Sequence, residues 1–460
     1  MKTTKKQWTN ASVLALAGDG DPVQVITQMA RAAVLDATDA GWSGPPFDPF
    51  ILAELRHIEM MPTQEVLDAR TVPLASDKLQ IQFNPNRPPS RVRYSICHEL
   101  AHTLFPDCRD MIRNRATHED MRGDDWQLEL LCNVGAAELL MPIGSFNDLD
   151  AGSVNIDALL RLRQKLQVST EALMLRVMRL TRESCCLLSF SRRQPDRSTE
   201  YHLDYAVPSM NWHESVPSDW SGPPEVVGEC TAIGWTAKGH LQGLPGLGSV
   251  PVECVGIPPY PGEVYPRVLT LVASPNAGTS VKPQVRRLLG DATEPRGDGK
   301  RVIAQIVNDK APTWGAGFAL AVRKKWPHVQ EDFRAWAGAG RSRLSLGNSH
   351  LSRVDGNVSV FSMVAQHGYG LSSKPRIRYS ALVAGLEELA NVSREMCASV
   401  HMPKIGCGEA GGEWRIIEEL ITESLSRQGL QTTVYELPED RDRDRDRNKQ
   451  RQLSIFGEDT

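Results

Sequence analysis

His98 and His102 stand four residues apart in the segment PPSRVRYSICHELAHTLFPD. On a helix that spacing puts both imidazoles on one face, within reach of a single ion. Glu99 lies beside them, placed to take a proton from an attacking water. The pattern predicts a helix starting near Ser90, with Pro88 and Pro89 closing the extended chain before it. Ile96, Leu100, Ala101 and Leu104 would pack that helix into its domain. The five letters HExxH also arise by chance on surface helices, so the discriminating question is whether a third donor follows on a second helix. WQLELLCNVGAAELLMP supplies one in Glu129, with Asn133 one turn later and Pro142 ending the helix. A carboxylate from a second helix completes a two-histidine, one-glutamate set and leaves the fourth position for water. The reading is a Zn2+ centre with His98, His102 and Glu129 as ligands and Glu99 as general base. Asn133 would hydrogen-bond a ligand histidine from outside the first set. Glu119, Asp120, Asp124, Asp125 and Glu138 stand as rivals for the place of Glu129.

A second chemical feature is the loop GCGEAGGEW, between a predicted strand and a predicted helix. Gly406, Gly408 and Gly411 fit GxGxxG by letter, but the loop falls late in its region. No strand with a terminal acidic residue follows at the distance a dinucleotide fold requires. Bare backbone N–H groups at a helix start still make a phosphate cradle, and with Gly412 the loop holds more glycine than a tight turn needs.

The elements that position these groups fall into four regions. Residues 1–183 read as mainly helical, with periodic stretches near 23–36, 90–105, 126–141 and 155–180. Residues 184–275 are rich in Pro, Gly and Trp, with short runs such as CLLSF and VLTLVAS, and read as a β-rich module or connector. Residues 276–438 alternate strands with amphipathic helices, the signature of a largely parallel sheet. Strands are expected at 302–309, 359–367, 399–406 and 432–437, and helices near 315–326, 380–396 and 413–428. Residues 439–460 form a tail in which Asp and Arg alternate from Asp440 to Arg447, which predicts a solvated, disordered extension. The fold class is multidomain, α+β and α/β. Its 460 residues are too many for one core.

A net charge of −4 gives no global pull toward nucleic acid or anionic membrane. The apolar run VLALA is too short for a signal peptide, and no segment approaches a membrane span. Nine cysteines without a CxxC pair predict reduced thiols in a cytoplasmic protein.

Two resemblances add to this reading. GPPFDPFILAELRHIEM, LQIQFNPN, RYSICHELAHTLF, the E-x-x-x-N-x-x-AAELLMP run and VSTEALMLRVMRLT together resemble the ImmA/IrrE metallopeptidases over about 23–183. The resemblance implies a gluzincin-like, zinc-dependent peptidase, often acting on a transcriptional repressor, with His98, His102 and Glu129 as ligands and Glu99 as base. Members commonly carry a second acidic residue where this chain has Leu131. LLGDATEP, VIAQIVNDKAPTWGAGFALAVRKKWP, MVAQHGYG and MPKIGCGEAGGEWRIIEELI resemble a macro domain over about 285–438, of the branch that includes ADP-ribosyl hydrolases. That implies an α/β/α layering and an ADP-ribose site. Asp291 would meet adenine, with Ala292 and Asn308 beside it. Gly315, Gly317 and Phe318 with Gly406, Cys407, Gly408, Glu409, Ala410, Gly411 and Gly412 would hold the diphosphate and distal ribose. The lysine and aspartate those hydrolases use are matched here by Gln366 and Ala410, so binding is the safer expectation than hydrolysis. Gln452–Phe456, QLSIF, resembles the pentapeptide with which bacterial proteins dock on the replication sliding clamp. A tail strand packing on its own domain is the alternative there.

The reading that follows is a cytoplasmic zinc endopeptidase acting on a regulatory protein such as a repressor, gated or targeted by an ADP-ribose-binding domain. Two alternatives stand beside it. One is an ADP-ribose-binding module whose zinc site is structural; the other makes the macro region the enzyme, releasing ADP-ribose.

Overall fold

A computed structural model describes residues 8–74, 78–109, 113–114, 123–146, 154–192, 201–217, 225–242, 248–260, 262–273, 285–340, 342–370, 372 and 374–437. The charged tail, Gln452–Phe456, and the rivals Glu119 and Asp120 lie outside these residues. The chain divides into two compact units, Met1–Ala33 with Ser43–Lys282, and Val34–Trp42 with Pro283–Thr460.

The first unit begins with α1 (Ala11–Ala17), whose first amides bond the side chain of Asn10, then α2 (Pro22–Asp39) and α3 (Pro49–Leu55). Strands β1 (Glu59–Pro62), β2 (Ala69–Pro73), β3 (Leu79–Phe83) and β4 (Arg113–Asn114) form a sheet of order β1-β3-β2-β4. The sequence reading anticipated only the third of these strands. Helix α4 (Pro89–His102) starts on a proline, whose fixed φ suits the first helical position, so it opens one residue earlier than expected. Helix α5 (Asp125–Leu140) packs along it. Gly135 makes that approach feasible, because a Cβ there would lie 2.9 Å from the Ala101 Cβ. The helical stretch 155–180 is two helices, α6 (Ile156–Leu166) and α7 (Thr170–Leu180). Gln167 ends the first in a left-handed conformation, φ 54°, and the Ser169 hydroxyl caps the second.

The same unit holds a five-stranded antiparallel sheet made of β5 (Cys185–Ser191), β6 (His202–Pro208), β7 (Thr236–Leu241), β8 (Val250–Ile257) and β9 (Arg267–Ala273). Its order is β6-β5-β9-β8-β7. The two apolar runs that stood out in the sequence are β5 and β9, its central neighbours. Phe190, Trp212, Val227, Val250 and Val268 form its core. Several ties bind it to the helices. The Ile156 amide donates to Glu253 at 2.6 Å, and Arg267 makes two hydrogen bonds to Glu171, at 2.6 and 2.7 Å.

The second unit is one six-stranded sheet. Its strands are β10 (Arg286–Leu289), β11 (Arg301–Asn308), β12 (Ser349–Arg353), β13 (Val358–Gln366), β14 (Ser399–Pro403) and β15 (Thr432–Glu436). Their order is β10-β15-β14-β11-β13-β12, parallel except where β12 meets β13. Helices α8 (Gly317–Lys325), α9 (Pro327–Gly338), α10 (Tyr379–Met396) and α11 (Trp414–Ser424) lie between strands. The expected strand 399–406 stops at Pro403, and α11 stops at Ser424 rather than 428. Edge strands β10 and β12 and helix α9 are not expected from the sequence; the strands are short and α9 follows α8 across Pro327. No helix among the described residues is long and apolar enough to cross a membrane.

Candidate functional site

Helices α4 and α5 bring the predicted donors together in a buried cluster. His98, Glu99 and His102 are completely buried, and the Glu129 side chain is 12% exposed. One Glu129 oxygen lies 3.1 Å from His98 Nε2 and the other 3.6 Å from His102 Nε2. Three ligand atoms placed about 2.0–2.2 Å from an ion at tetrahedral angles sit roughly 3.3–3.5 Å apart, and these two imidazole-to-carboxylate distances are of that size. The far nitrogens are also engaged. His98 Nδ1 meets Asn133 Oδ1 at 3.1 Å, and His102 Nδ1 meets Cys132 Sγ at 3.2 Å. With Nδ1 protonated and donating to each, both Nε2 lone pairs face the Glu129 carboxylate.

Residues missed in the sequence complete the cluster. Thr71 on β2 donates its hydroxyl to Glu99 Oε2 at 2.7 Å, which orients the carboxyl. Tyr94 donates to Asn133 Oδ1 at 2.8 Å. Helical spacing could have found two of them, since Cys132 is three residues past Glu129 and Tyr94 one turn before His98. Nothing local announces Thr71. The metal-capable cluster that stands closest among the described residues is His98, His102 and Cys132, with one donor atom of each within 4.8 Å of the others. Cys132, however, faces Nδ1 of His102 whereas Glu129 faces Nε2 of both rings, so one ion does not take both. Burial drives the thiol of neighbouring Cys97 up to about 12, which keeps it neutral and inert.

Two of the described rivals of Glu129 are otherwise employed. Glu138, almost fully buried, pairs with Arg176 and, at 3.5 Å, with Arg31. Asp124 accepts the Thr9 hydroxyl at 2.6 Å and the Asn10 amide at 3.3 Å.

In the second unit the predicted ligand-binding positions gather at the carboxyl ends of β10, β11 and β14, the edge where open α/β sheets bind ligands. Asp291, exposed, accepts the Thr293 amide at 2.8 Å, and Ala292 is buried beneath it. Asn308 caps the turn after β11 by accepting the Lys310 and Ala311 amides at 2.9 and 2.8 Å. Gly315 is exposed, Gly317 turns the chain into α8 at φ 58°, and Phe318 packs on the core around Trp314 and Phe333. The loop after β14 is folded on itself. The Gly411 amide donates to Gly408 O at 3.0 Å and the Gly412 amide to Gly406 O at 2.8 Å, where a Cβ on Gly412 would collide. A Cβ on Gly315 or Gly408 would meet nothing within 4 Å, so both present open backbone. Glu409 is exposed, Cys407 donates to Ile405 O at 3.5 Å, and buried Ala410 accepts the Arg376 and Ile377 amides through its carbonyl.

Residues 55–178 match the family described as the IrrE N-terminal-like domain, Peptidase_M78. The radiation response metalloprotease IrrE of Deinococcus deserti is 38% identical over 71 residues, covering 15% of this chain and 25% of that protein. The chromodomain-helicase-DNA-binding protein 1-like of Danio rerio is 32% identical over 161 residues, covering 33% of this chain and 15% of that protein. A macrodomain protein from Streptomyces coelicolor is 37% identical and covers 33% of this chain and 97% of its own, with a TM-score of 0.30. The chain thus spans a quarter or less of these two curated relatives. In class, the matched part of the first unit is similar to metallopeptidase domains. Residues 55–178 are thus similar to the IrrE N-terminal-like family, and about a third of the chain is similar in sequence to a macrodomain protein.

Proposed function

We propose that the first unit is a zinc-dependent endopeptidase and that the second binds ADP-ribose and gates or targets it. The observation that carries the peptidase reading is the convergence of two imidazole Nε2 atoms on one carboxylate, at 3.1 and 3.6 Å, beside a buried glutamate. His98, His102 and Glu129 would hold the ion, which supplies Lewis-acid activation of water and carbonyl when bound. Glu99, oriented by Thr71, takes a proton from the attacking water and passes it to the leaving amine. Asn133 and Cys132 fix the tautomers of the two histidines. The substrate proposed is a regulatory protein such as a repressor, and the place of action the cytoplasm.

The test pairs the full chain, loaded with zinc, with the product of an adjacent gene and follows cleavage. Wild type should cut while Glu99→Gln retains zinc and does not. Equal cutting by both would remove Glu99 from the role. The gating proposal makes a separate demand, that saturating ADP-ribose change the cleavage rate. A rate that stays constant across the titration rules gating out.

A further inference from the structure

We propose that the second unit carries a general base of its own, the His367–Asp309 dyad, placed to activate water against the ribose end of an ADP-ribosyl ester. The inference rests on reading the glycine cradle as an ADP-ribose site.

Asp309 follows β11 and His367 follows β13, neighbouring parallel strands in which Asn308 pairs with Gln366. The two side chains therefore emerge together at the ligand-binding edge of the sheet. Asp309 is held from three sides. Its Oδ1 accepts the Gly368 amide at 2.9 Å, its Oδ2 faces His367 Nδ1 at 2.9 Å, and Lys310 Nζ lies 3.4 Å from Oδ2. The Asp309 side chain is 9% exposed and that of His367 47%. Burial alone would raise the Asp309 carboxyl, but the Gly368 amide and the His367 ring outweigh it and hold the group below the usual carboxylate range. With Nδ1–H donated to this carboxylate, the lone pair of His367 sits on Nε2, which has no partner among the described residues. An orienting carboxylate, an imidazole and an open nitrogen are the parts a general base requires.

One short stretch joins the dyad to the cradle. Gln366 bridges Ile377, the His367 amide donates to Arg376 O at 2.7 Å, and the Arg376 amide donates to Ala410 O at 2.8 Å. Gly411 backs onto Pro375. The base and the glycines thus share residues 375–377 as a common floor. Gln366, whose side-chain amide donates to Gly368 O at 2.9 Å, and Ala410 can neither take nor give a proton, so neither serves this step.

In the step, water oxygen bonds to the anomeric carbon of the distal ribose as the bond from that carbon to the ester oxygen breaks. The bond pair leaves with the carboxylate, and the water proton goes to His367 Nε2. ADP-ribose and a free carboxylate result, with water as the co-reactant.

The experiment uses the full chain and a peptide bearing ADP-ribose esterified to a glutamate, with release followed by chromatography and free ADP-ribose binding by calorimetry. Wild type should release ADP-ribose, and His367→Gln and Asp309→Asn should lower kcat roughly 100-fold or more with KM little changed. Their Kd for free ADP-ribose should stay within about threefold of wild type. His367→Gln keeps the test valid if Asp309→Asn disturbs the Gly368 turn, because His367 is half-exposed. Binding without release by wild type, or release that survives His367→Gln, overturns the dyad and leaves the cradle reading intact. Failure of wild type to bind ADP-ribose overturns the cradle reading, and the dyad's proposed role falls with it.

Discussion

Each imidazole of the candidate metal centre is gripped on both edges, and this makes side-chain partners testable apart from ligands. Cys132→Ala removes the acceptor of the His102 Nδ1–H, and Asn133→Ala removes that of His98. Losing such a partner costs about 10–100-fold in metal affinity, so both variants should require more zinc for half-loading by competition with a chelator. Unchanged affinity would mean that the rings need no such anchors. Thr71→Val keeps shape but leaves the buried Glu99 carboxyl without that hydroxyl, and the cost of a lost buried bond is about 1–3 kcal/mol. Cleavage should fall while zinc content stays constant, which metal analysis alongside kinetics would show. The legible part of the site was what helical spacing encodes, His98 with His102 and Glu129 with Asn133. Thr71 was illegible because its bond depends on how a sheet docks over a helix, and no spacing in the chain records that.

At the scale of elements, the metal centre depends on how closely α5 lies against α4. Gly135→Ala tests this with two opposed effects. Alanine gains about 1 kcal/mol of helix propensity over glycine. Its Cβ would stand 2.9 Å from that of Ala101, and overpacking of this kind costs about 1–3 kcal/mol. Contact should win, so the variant should melt lower and bind zinc more weakly than wild type. A rise in melting temperature would show that the helices separate freely. Strongly periodic segments were readable for a physical reason, since a buried helical face must repeat. Elements lacking that constraint were not. β10 and β12 are edge strands with few buried side chains, and α9 begins at Pro327 directly behind α8, so the proline reads as the end of the helix expected at 315–326.

On the scale of the whole molecule, the two units should respond differently to acid. His401 on β14 is buried, with Ser399 at Nε2 and Tyr435 at Nδ1, and burial then the Arg301 charge lower it from 6.5 to about 4. A histidine depressed in the folded state contributes stability that is full above the unfolded value and is lost as pH falls from about 6.5 toward 4. The second unit should therefore unfold at progressively lower temperature across that window, seen by calorimetry as one transition moving away from another. His401→Gln should flatten the dependence. A second-unit transition that is indifferent to pH in that window would contradict the assignment.

The pairing of Arg267 with Glu171 bears on where the first unit can be divided. Glu171 also accepts the Tyr205 hydroxyl at 2.7 Å, so helix α7 and the five-stranded sheet share one charged knot in which the Arg267 side chain is 8% exposed. A recombination that carried the helices alone would strip Glu171 of both partners. One that carried the sheet alone would leave a guanidinium in its interior without a counter-charge, a defect of about 3–5 kcal/mol. Either cut is therefore expected to destabilise the fragment it leaves, so a separately produced helical part or sheet should melt below the intact unit.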